Sequence, residues 1–541
     1  MRKIIYGVVF SVLTASVAAE TNRESVVSRP AAPTTFTYRP DLLPEADAKL
    51  MRECARDALK AASAAHTGRQ TVSPQDTGEA LVNPGMGLVH YHYSNRLWAY
   101  GMYSKPGDTE PLPGTSAVYM RVLWNDLEPN EGQYRWDIFD SVAQNWIKAG
   151  KQIAFRIICC NQTENATPDW VREAGAKGIW FSPIYKDIPG AERWEPTYDD
   201  PVFLEKLANF LKAFAARYDG DPSVAFVDIG SFGLFGEGHT GRTAKLSREE
   251  TLRIARIHIE LHKRLLPNTY LVLSDDVAGS NSKESDLPFL KYMREMGVGL
   301  RDDSIMCSQY GWWHDHWGPL FAPTLPVILE TGHFTMCAER GNWRKERILE
   351  AVEKHQASFF TFHGFPEDFR ESHASEITAV NRRIGYRLMP VEVRFPSRVK
   401  IGEQVDIAAK WVNKGVAPCL PGGFVSWSLC DPEGNVCWSF TDETFDVRAL
   451  APTLEGGQNP VLRVSRGRFG CSAPIPPWND MVLAGLRKSG RVTERSFDML
   501  VPGEYALCVS VGSRQGTPKI ALPLAGGAGR RYQVGHVTIV H

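Results

Sequence analysis

Apolar residues recur between residues 81 and 389 in short, nearly continuous runs that alternate with amphipathic stretches. A strand that is buried on both faces shows such a run, whereas a strand with one solvent-exposed face alternates apolar and polar residues. Eight runs predict eight buried strands. They are GLVHYH (87–92), AVYMRVLW (117–124), QIAFRIICC (152–160), VAFVDIGSFG (224–233), YLVLSDDV (270–277), SIMCSQYG (304–311), PVILETGHF (326–334) and ASFFTFHGF (357–365).

Helical patterns fill most of the gaps between these runs. One predicted helix opens with a capping box, Ser247 to Glu250, and ends before Pro267. Another, over residues 201–218, places its phenylalanines on one face. Eight strands alternating with helices over roughly 300 residues are typical of a (β/α)8 TIM barrel. No glycine-rich dinucleotide fingerprint follows the first run, so a doubly wound sheet is disfavoured. We therefore predict a barrel over residues 81–389.

The periodicity changes after residue 390. Stretches such as QVDIAAKWVN (404–413) and GEYALCVSVG (503–512) alternate apolar and polar residues and are separated by turns rich in Gly, Pro and Asp. This pattern predicts an Ig-like β-sandwich over residues 390–541. Because no polar cluster converges within it, a role in supporting the barrel is favoured, with carbohydrate binding as the alternative.

The N-terminus carries a targeting pattern. Arg2 and Lys3 precede an apolar run that ends in small residues, which predicts a signal peptide over residues 1–19. Residues 20–80 are polar and rich in Pro, Ser and Thr, and predict a leader or linker with one helix. We expect an exported protein, periplasmic or extracellular, without membrane insertion.

Charge and aromatic content narrow the class of partner. The formal net charge is −1, and no basic stripe stands out, so nucleic acid is not an expected partner. The chain has 15 Trp, 17 Tyr and 25 Phe residues, enough to fill a large core and to supply sugar-stacking surfaces. A carbohydrate is the partner that we expect. The oligomeric state does not follow from the sequence.

Polar residues gather where the predicted strands end, which is where barrel enzymes place their active sites. Glu330 directly follows the apolar run Val327-Ile-Leu, and a carboxylate there is costly to bury unless it is paired or used. Glu237 follows the fourth run, so the two glutamates are expected on opposite sides of the barrel mouth. We predict that both are catalytic. Candidate substrate-binding residues are His90, His92, Arg121, Trp124, Arg156, Asn161, His239, Asp275, Asp276, Gln309, Tyr310, Trp312, Trp313, His333 and His363.

A metal-dependent hydrolase is the first alternative. His90 and His92 resemble the His-x-His pair of amidohydrolase barrels, but such sites also need a Lys on strand four and His residues on strands five and six. Here strand four offers no Lys, and strand five offers only Asp275 and Asp276. We therefore predict no metal and no cofactor. The second alternative, glycoside hydrolysis by two carboxylates, is the one that Glu237 and Glu330 fit.

Residues 120–157, MRVLWNDLEPNEGQYRWDIFDSVAQNWIKAGKQIAFRI, resemble strands two and three of clan A glycoside hydrolases, above all the β-galactosidase-like families. Most of residues 81–541 are also similar to a bacterial family of barrel-plus-sandwich proteins that is known mainly as a domain of unknown function. The clan A resemblance implies a retaining mechanism. The matching positions are Trp124, Glu128, Pro129, Gly132, Tyr134, Trp136 and Asp140.

The resemblance also implies the two catalytic roles, with Glu237 as acid/base and Glu330 as nucleophile. An acid must hold a proton before the bond breaks, so we expect the pKa of Glu237 to lie above that of an ordinary Glu. Clan A enzymes usually carry Asn-Glu at the end of strand four, where this chain has Gly236-Glu237 in a glycine-rich loop. This departure keeps open a catalytically silent carbohydrate-binding or scaffold protein on the same fold.

Overall fold

The computed structural model describes residues 68–91, 111–184, 191–277, 286–307, 317–454, 460–469, 492–493, 496–497, 500 and 502–540. The predicted signal peptide and the predicted helix of the leader lie outside these residues. The first eleven strands in chain order are β1 (Arg69–Val72), β2 (Gly87–Tyr91), β3 (Thr115–Leu123), β4 (Gln152–Ile158), β5 (Gly178–Phe181), β6 (Arg193–Pro196), β7 (Val224–Asp228), β8 (Leu271–Ser274), β9 (Val298–Ile305), β10 (Val327–Thr331) and β11 (Phe359–Thr361).

Eight of these strands close into a parallel barrel, which confirms the predicted TIM-barrel fold. Their order around the barrel is β2, β3, β4, β7, β8, β9, β10 and β11, with β11 pairing back to β2. Strands β5 and β6 form an antiparallel hairpin in the connection between β4 and β7.

Helices lie between successive barrel strands. Asp200 caps the helix Pro201–Tyr218, and the predicted capping box of Ser247 and Glu250 is present at the start of Arg248–Leu265. In the described residues, no helix is long and apolar enough to cross a membrane. The helical segments are Trp124–Leu127, Asp137–Lys148, Asp169–Glu173, Pro201–Tyr218, Arg248–Leu265, Leu287–Glu295, Gly318–Phe321, Phe334–Glu339, Arg347–His355, Pro366–Arg370 and Ala374–Asn381.

One predicted strand was placed wrongly. The sixth barrel strand is Val298–Ile305, not residues 304–311. The sequence there reads VGLRDDSI, and its Arg-Asp-Asp group interrupts the apolar run. Because Arg301 points into the barrel and is paired with carboxylates there, a charged residue is accommodated in a buried strand.

The C-terminal region is built from two sheets, in agreement with the predicted sandwich. One sheet has the order β1, β12 (Leu388–Pro396), β14 (Gln404–Asn413), β17 (Val461–Arg468). Strand β1 lies within the segment that we assigned to the leader, yet it pairs with β12. The second sheet contains β13 (Arg398–Lys400), β15 (Phe424–Cys430), β16 (Val436–Asp446), β20 (Gly503–Gly512), β21 (Pro518–Ile520) and β22 (Tyr532–Val540), and a separate short pair is β18 (Val492–Thr493) with β19 (Ser496–Phe497).

The interior of the barrel changes from apolar to charged along its axis. Small residues such as Ala117 and Ala154 are packed with Phe226 and Phe359, whose rings lie 5.4 Å apart, and together they form an apolar floor. Tyr119 contacts this floor through its ring and turns its hydroxyl group toward the charged residues of the mouth. The candidate site therefore rests on a close-packed base, which limits how far its side chains can move.

Candidate active site

Asp228 lies at the centre of a buried ionic network at the barrel mouth. It ends β7 and is 1% exposed. Its Oδ2 accepts a hydrogen bond from the hydroxyl of Tyr119 at 2.5 Å, and the guanidinium groups of Arg156 and Arg301 lie 3.4 Å and 2.7 Å from it. Two buried cations thus compensate one buried carboxylate, and the excess positive charge is available to the glutamates above.

Glu330 is a buried carboxylate with three hydrogen-bond donors. Its Oε2 accepts from the Tyr91 hydroxyl at 2.5 Å and from Arg301 Nη1 at 2.9 Å, and its Oε1 accepts from His363 Nδ1 at 2.9 Å. Burial alone would raise the pKa of Glu330, but the hydrogen bond from His363 and the charge of Arg301 hold that pKa well below its usual range. The carboxylate is therefore ionised, as a nucleophile requires.

The glycine-rich loop after β7 brings Glu237 back over the mouth. Gly233, Gly236 and Gly238 all have positive φ angles, and the backbone N–H of Leu234 donates to the carbonyl of His239 at 2.8 Å. A Cβ at position 236 would lie 2.5 Å from the carbonyl oxygen of Gly230. The tight loop explains how a glutamate nine positions beyond Asp228 reaches the site without an Asn-Glu pair at the strand end.

Glu237 faces three arginines. Its Oε1 lies 2.6 Å from Arg156 Nη2, 3.6 Å from Arg301 Nη2 and 3.8 Å from Arg121 Nη1. Burial would raise the pKa of Glu237, but the charge of Arg156, followed by that of Arg301, lowers it below the ordinary value. Our expectation of a raised pKa was therefore wrong, because the Gly-rich loop sets this carboxylate against cations rather than in an apolar pocket.

His239 lies on the other side of the Glu237 carboxylate. Its Nε2 is 2.8 Å from Asp276 Oδ2 and 3.7 Å from Glu237 Oε2. Burial works against the charged imidazole, but the hydrogen bond and charge of Asp276, with the charge of Glu237, raise the pKa of His239 to about 9. A protonated imidazole thus stands beside Glu237 at neutral pH.

Three aspartates extend the acidic side of the mouth. Asp275, Asp276 and Asp303 each bring one carboxylate oxygen within 4.8 Å of the others. The same holds for a second group, formed by one carboxylate oxygen each of Glu237 and Asp276 and a ring nitrogen of His239. Burial and neighbouring carboxylates raise the pKa of Asp275 and of Asp303, although Arg301 lies 2.9 Å from the latter. Within the described residues, these are the two groups whose possible ligand atoms lie close enough together to hold a cation. Each group already contains or contacts a cationic side chain, since His239 lies 2.8 Å from Asp276 and Arg301 lies 2.9 Å from Asp303.

Other predicted residues lie away from the site. His90 is buried outside the barrel lumen, where its ring contacts Trp146 at 5.4 Å, and burial lowers its pKa to about 4. Trp124 is fully buried, donates to Glu128 at 2.8 Å and packs against the helix Pro201–Tyr218. Both substrate-binding predictions were wrong, because these side chains point into the layer between strands and helices. Asn161 hydrogen-bonds within its own loop.

The remaining predictions divide into two groups. His333 joins the site, with its ring 3.7 Å from that of His363, and the structure brings Arg121, Arg156, His239, Asp276 and His363 together around Glu237 and Glu330. His92, Gln309, Tyr310, Trp312 and Trp313 lie outside the described residues.

Sequence reasoning missed several members of the network. Tyr119, Asp228, Arg301 and Asp303 were not among the candidates, although each is polar and lies in or at the end of a barrel strand. Asp228 and Tyr119 were hidden inside the predicted apolar runs. Arg301 and Asp303 were not predicted because the sixth strand was placed too far along the chain. A charged residue inside an apolar run is the signal that would have found Asp228 and Arg301.

The comparison with known proteins bears on the strands beneath this site. Residues 113–231 match the β-galactosidase family, glycoside hydrolase family 42. This β-galactosidase match covers β3, β4 and β7 and so confirms the resemblance to clan A glycoside hydrolases. It ends before Glu237 and Glu330, and hence their roles do not come from it.

Individual relatives cover only parts of the chain. The β-galactosidase BbgII of Bifidobacterium bifidum is 33% identical over 143 residues, which are 24% of this chain, and the chain spans about a fifth of that protein, 20%. Among solved structures, the exo-β-1,4-mannosidase Op5Man5 of an Opitutaceae bacterium, strain TAV5, has 11% identity and a TM-score of 0.33, with 54% of each chain covered. Xylanase B of Clostridium stercorarium F9 has 15% identity and a TM-score of 0.32, covering 51% of this chain and 85% of its own.

Proposed function

We propose that this protein is an exported glycoside hydrolase that cleaves an oligo- or polysaccharide with retention of configuration. One observation carries the proposal: Glu330 and Glu237 come from barrel strands seven and four, and both contact the guanidinium group of Arg301. Contact with one shared guanidinium group keeps the two carboxylates close together at the barrel mouth, and glycoside cleavage uses such a pair of carboxylates. The family match over residues 113–231 supports the same class of reaction.

In this proposal Glu330 attacks the anomeric carbon. Its ionised carboxylate forms a covalent bond to the sugar while the leaving group departs, and water later releases the sugar. Tyr91 and Arg301 both contact Oε2, so Oε1 is the oxygen with fewer donors, and His363 holds it in position. We assign the attack to Oε1 of Glu330.

Glu237 is the acid/base in this proposal. It protonates the glycosidic oxygen in the first step and accepts a proton from water in the second. Its carboxylate needs a proton before the first step, and the protonated imidazole of His239, 3.7 Å away, is a neighbouring group that can release one. We propose that the pair of Glu237 and His239 shares that proton.

A catalytically silent carbohydrate-binding protein is the second candidate, and the lowered pKa of Glu237 is the observation that favours it. Glu330→Ala decides between the two. An enzyme that uses Glu330 loses turnover in this variant, keeps its melting temperature, and regains cleavage of an activated aryl glycoside when azide is added, with inverted glycosyl azide as product. The unmutated protein is assayed on a panel of aryl glycosides and polysaccharides. If it cleaves none of them, the result supports a catalytically silent carbohydrate-binding protein.

A further inference from the structure

Two cysteine side chains meet close to the end of the strand that carries Glu330. Cys307 follows shortly after β9, and Cys337 lies in the helix Phe334–Glu339, which follows β10. Cys337 is buried, and Cys307 is half-buried. Nothing in the cleavage step described above uses either thiol.

Gly332 shows how close the two sulfur atoms are to each other. A Cβ at position 332 would lie 2.4 Å from Sγ of Cys307 and 2.7 Å from Sγ of Cys337. Both sulfurs thus lie next to the same point, and the two thiols hydrogen-bond to each other. Because a side chain at position 332 would collide with both sulfurs, the glycine leaves the space in which they meet.

Asn342 holds the backbone of both cysteines. Its Nδ2 donates to the carbonyl oxygen of Cys307 at 2.7 Å, and its backbone N–H donates to the carbonyl oxygen of Cys337 at 2.9 Å. The backbone N–H of Gly332 donates to the carbonyl oxygen of Ile305 at 2.7 Å. Backbone contacts therefore already bring together the two side chains, as a disulfide bond requires.

The two thiols differ in acidity. The hydrogen bond from Cys307 lowers the pKa of the Cys337 thiol, and the charge of Arg340 acts in the same direction. The same hydrogen bond, together with burial, raises the pKa of Cys307. Since the thiolate is the reactive form of cysteine, Cys337 is the sulfur that reacts first with an oxidant, and Cys307 is placed to react second.

We propose that Cys307 and Cys337 form a disulfide bond when the protein meets a disulfide oxidant. The Cys337 thiolate attacks one sulfur of the oxidant, forms a mixed disulfide and releases the other sulfur as a thiolate. That thiolate takes up the proton of Cys307, whose sulfur then attacks Sγ of Cys337 and displaces the remaining thiolate of the oxidant. Two protein thiols are oxidised by two electrons, and one disulfide of the oxidant is reduced. An oxidising compartment outside the cytosol would preserve the bond.

The bond would brace the part of the barrel that holds the proposed nucleophile. Strands β9 and β10 are parallel neighbours, and they carry Arg301 and Glu330, which pair at 2.9 Å. A link from Cys307 to Cys337 closes a loop of roughly 30 residues that contains β10, and closing such a loop restricts the unfolded chain. The folded barrel is therefore stabilised at these two strands.

Peptide mapping of the full-length protein tests for the bond. The protein is incubated with glutathione disulfide, its remaining thiols are blocked with iodoacetamide in denaturant, and its peptides are analysed by mass spectrometry. We expect a peptide pair that joins Cys307 to Cys337 and that disappears on treatment with dithiothreitol. Gly332→Ala should lower the yield of this pair several-fold, because its methyl group occupies the space between the sulfurs. The matched control is Gly241→Ala, where a Cβ would meet nothing within 4 Å, and its yield should equal that of the unmutated protein.

Melting temperatures test the bracing role independently of the glycine variants. After incubation with glutathione disulfide, dithiothreitol should lower the melting temperature of the unmutated protein by several degrees. It should lower that of Cys337→Ala much less, because this variant cannot form the bond. Cys159→Ala removes another buried thiol and should respond as the unmutated protein does.

The linked peptide pair, with a response to dithiothreitol that Cys337→Ala lacks, supports the inference. Recovery of both cysteines as blocked thiols, or of Cys337 still joined to glutathione, overturns it, because Cys307 would then not complete the exchange. Equal responses of the unmutated protein and Cys337→Ala to dithiothreitol overturn it as well. None of these measurements uses a glycoside, so such a failure leaves the proposed function intact.

Discussion

Arg301 Nη1 lies 2.9 Å from Oε2 of Glu330, and both side chains are buried. The same guanidinium group is 2.7 Å from Asp228 through its Nε. One cation therefore pairs with Asp228 at the end of β7 and with Glu330, the proposed nucleophile. Its position makes the stability of the barrel and the ionisation of Glu330 depend on the same residue.

Arg301→Met should destabilise the protein and inactivate it. Removing one partner of a buried ionic network leaves uncompensated charge, which costs about 3–5 kcal/mol. Calorimetry should show a clearly lower melting temperature. Arg121→Met, at a side chain that is 18% exposed and 3.8 Å from Glu237, is the matched control and should lose much less stability. Equal losses in the two variants would show that Arg301 does not hold the network together.

The acidic limb of the pH–rate profile should lie below the range of an ordinary Glu, which has a pKa near 4.3. The reason is that His363 and Arg301 hold the pKa of Glu330 well below its usual value. Since a depressed pKa stabilises the folded state at pH values above the unfolded pKa, that stability is lost as the pH falls through the folded pKa. Unfolding experiments between about pH 6 and pH 2 should show this loss, which begins near the unfolded pKa and grows as the pH falls.

His363→Leu tests the cause of the depressed pKa of Glu330. It removes the side chain that donates to Oε1 of Glu330. We expect the acidic limb of kcat/KM to move upward by about one pH unit, the size of shift that one lost charge-stabilising hydrogen bond gives. A variant with an unmoved acidic limb would show that His363 does not set the ionisation of Glu330.

Glu237→Gln should separate substrates by leaving group. The variant cannot donate a proton, so glycosides with poor leaving groups should slow by about 10² to 10⁴, the usual contribution of general acid catalysis. Activated aryl glycosides, which leave without a proton, should slow far less in the first step. Equal slowing of both kinds would move the acid role to another group, with His239 and Asp276 next in position.

The contribution of His239 should disappear at alkaline pH. Its pKa is raised to about 9 by Asp276 and Glu237, so the stability that it adds is fully present below its unfolded pKa, near 6.5, and is lost as the pH rises through about 9. His239→Gln should remove this dependence. The check is to measure the melting temperatures of the unmutated protein and of His239→Gln between pH 6 and 10. If the two melting temperatures change with pH in the same way, His239 does not contribute this stability.

The fold was predictable because its strands are buried on both faces. Continuous apolar runs indicated seven of the barrel strands, and only the sixth was misplaced, where Arg301 interrupts the run. The local pattern of apolar and polar residues does not show that the charge of Arg301 is neutralised by Asp228, which comes from another strand. The burial of that charge depends on the closed barrel, not on the local sequence.

The site was only partly predictable. Side chains of a barrel strand point alternately into the lumen and into the helix layer. A strand residue assigned to the wrong face by one position is therefore placed in the wrong layer. His90 was therefore assigned to the site, whereas its neighbour Tyr91, which hydrogen-bonds Glu330, was left out of the candidates. The pKa of Glu237 was also beyond prediction, because it depends on arginines from three other strands.

Trapping the covalent intermediate tests the central claim most directly. A 2-deoxy-2-fluoroglycosyl fluoride of the preferred sugar slows both steps through an oxocarbenium-like transition state, while its fluoride leaving group lets the first step proceed. Peptide mass spectrometry of the inactivated enzyme should find one glycosyl group, attached to Glu330. A label on another carboxylate such as Asp228, or inverted product from the unmutated enzyme without any label, would contradict the account.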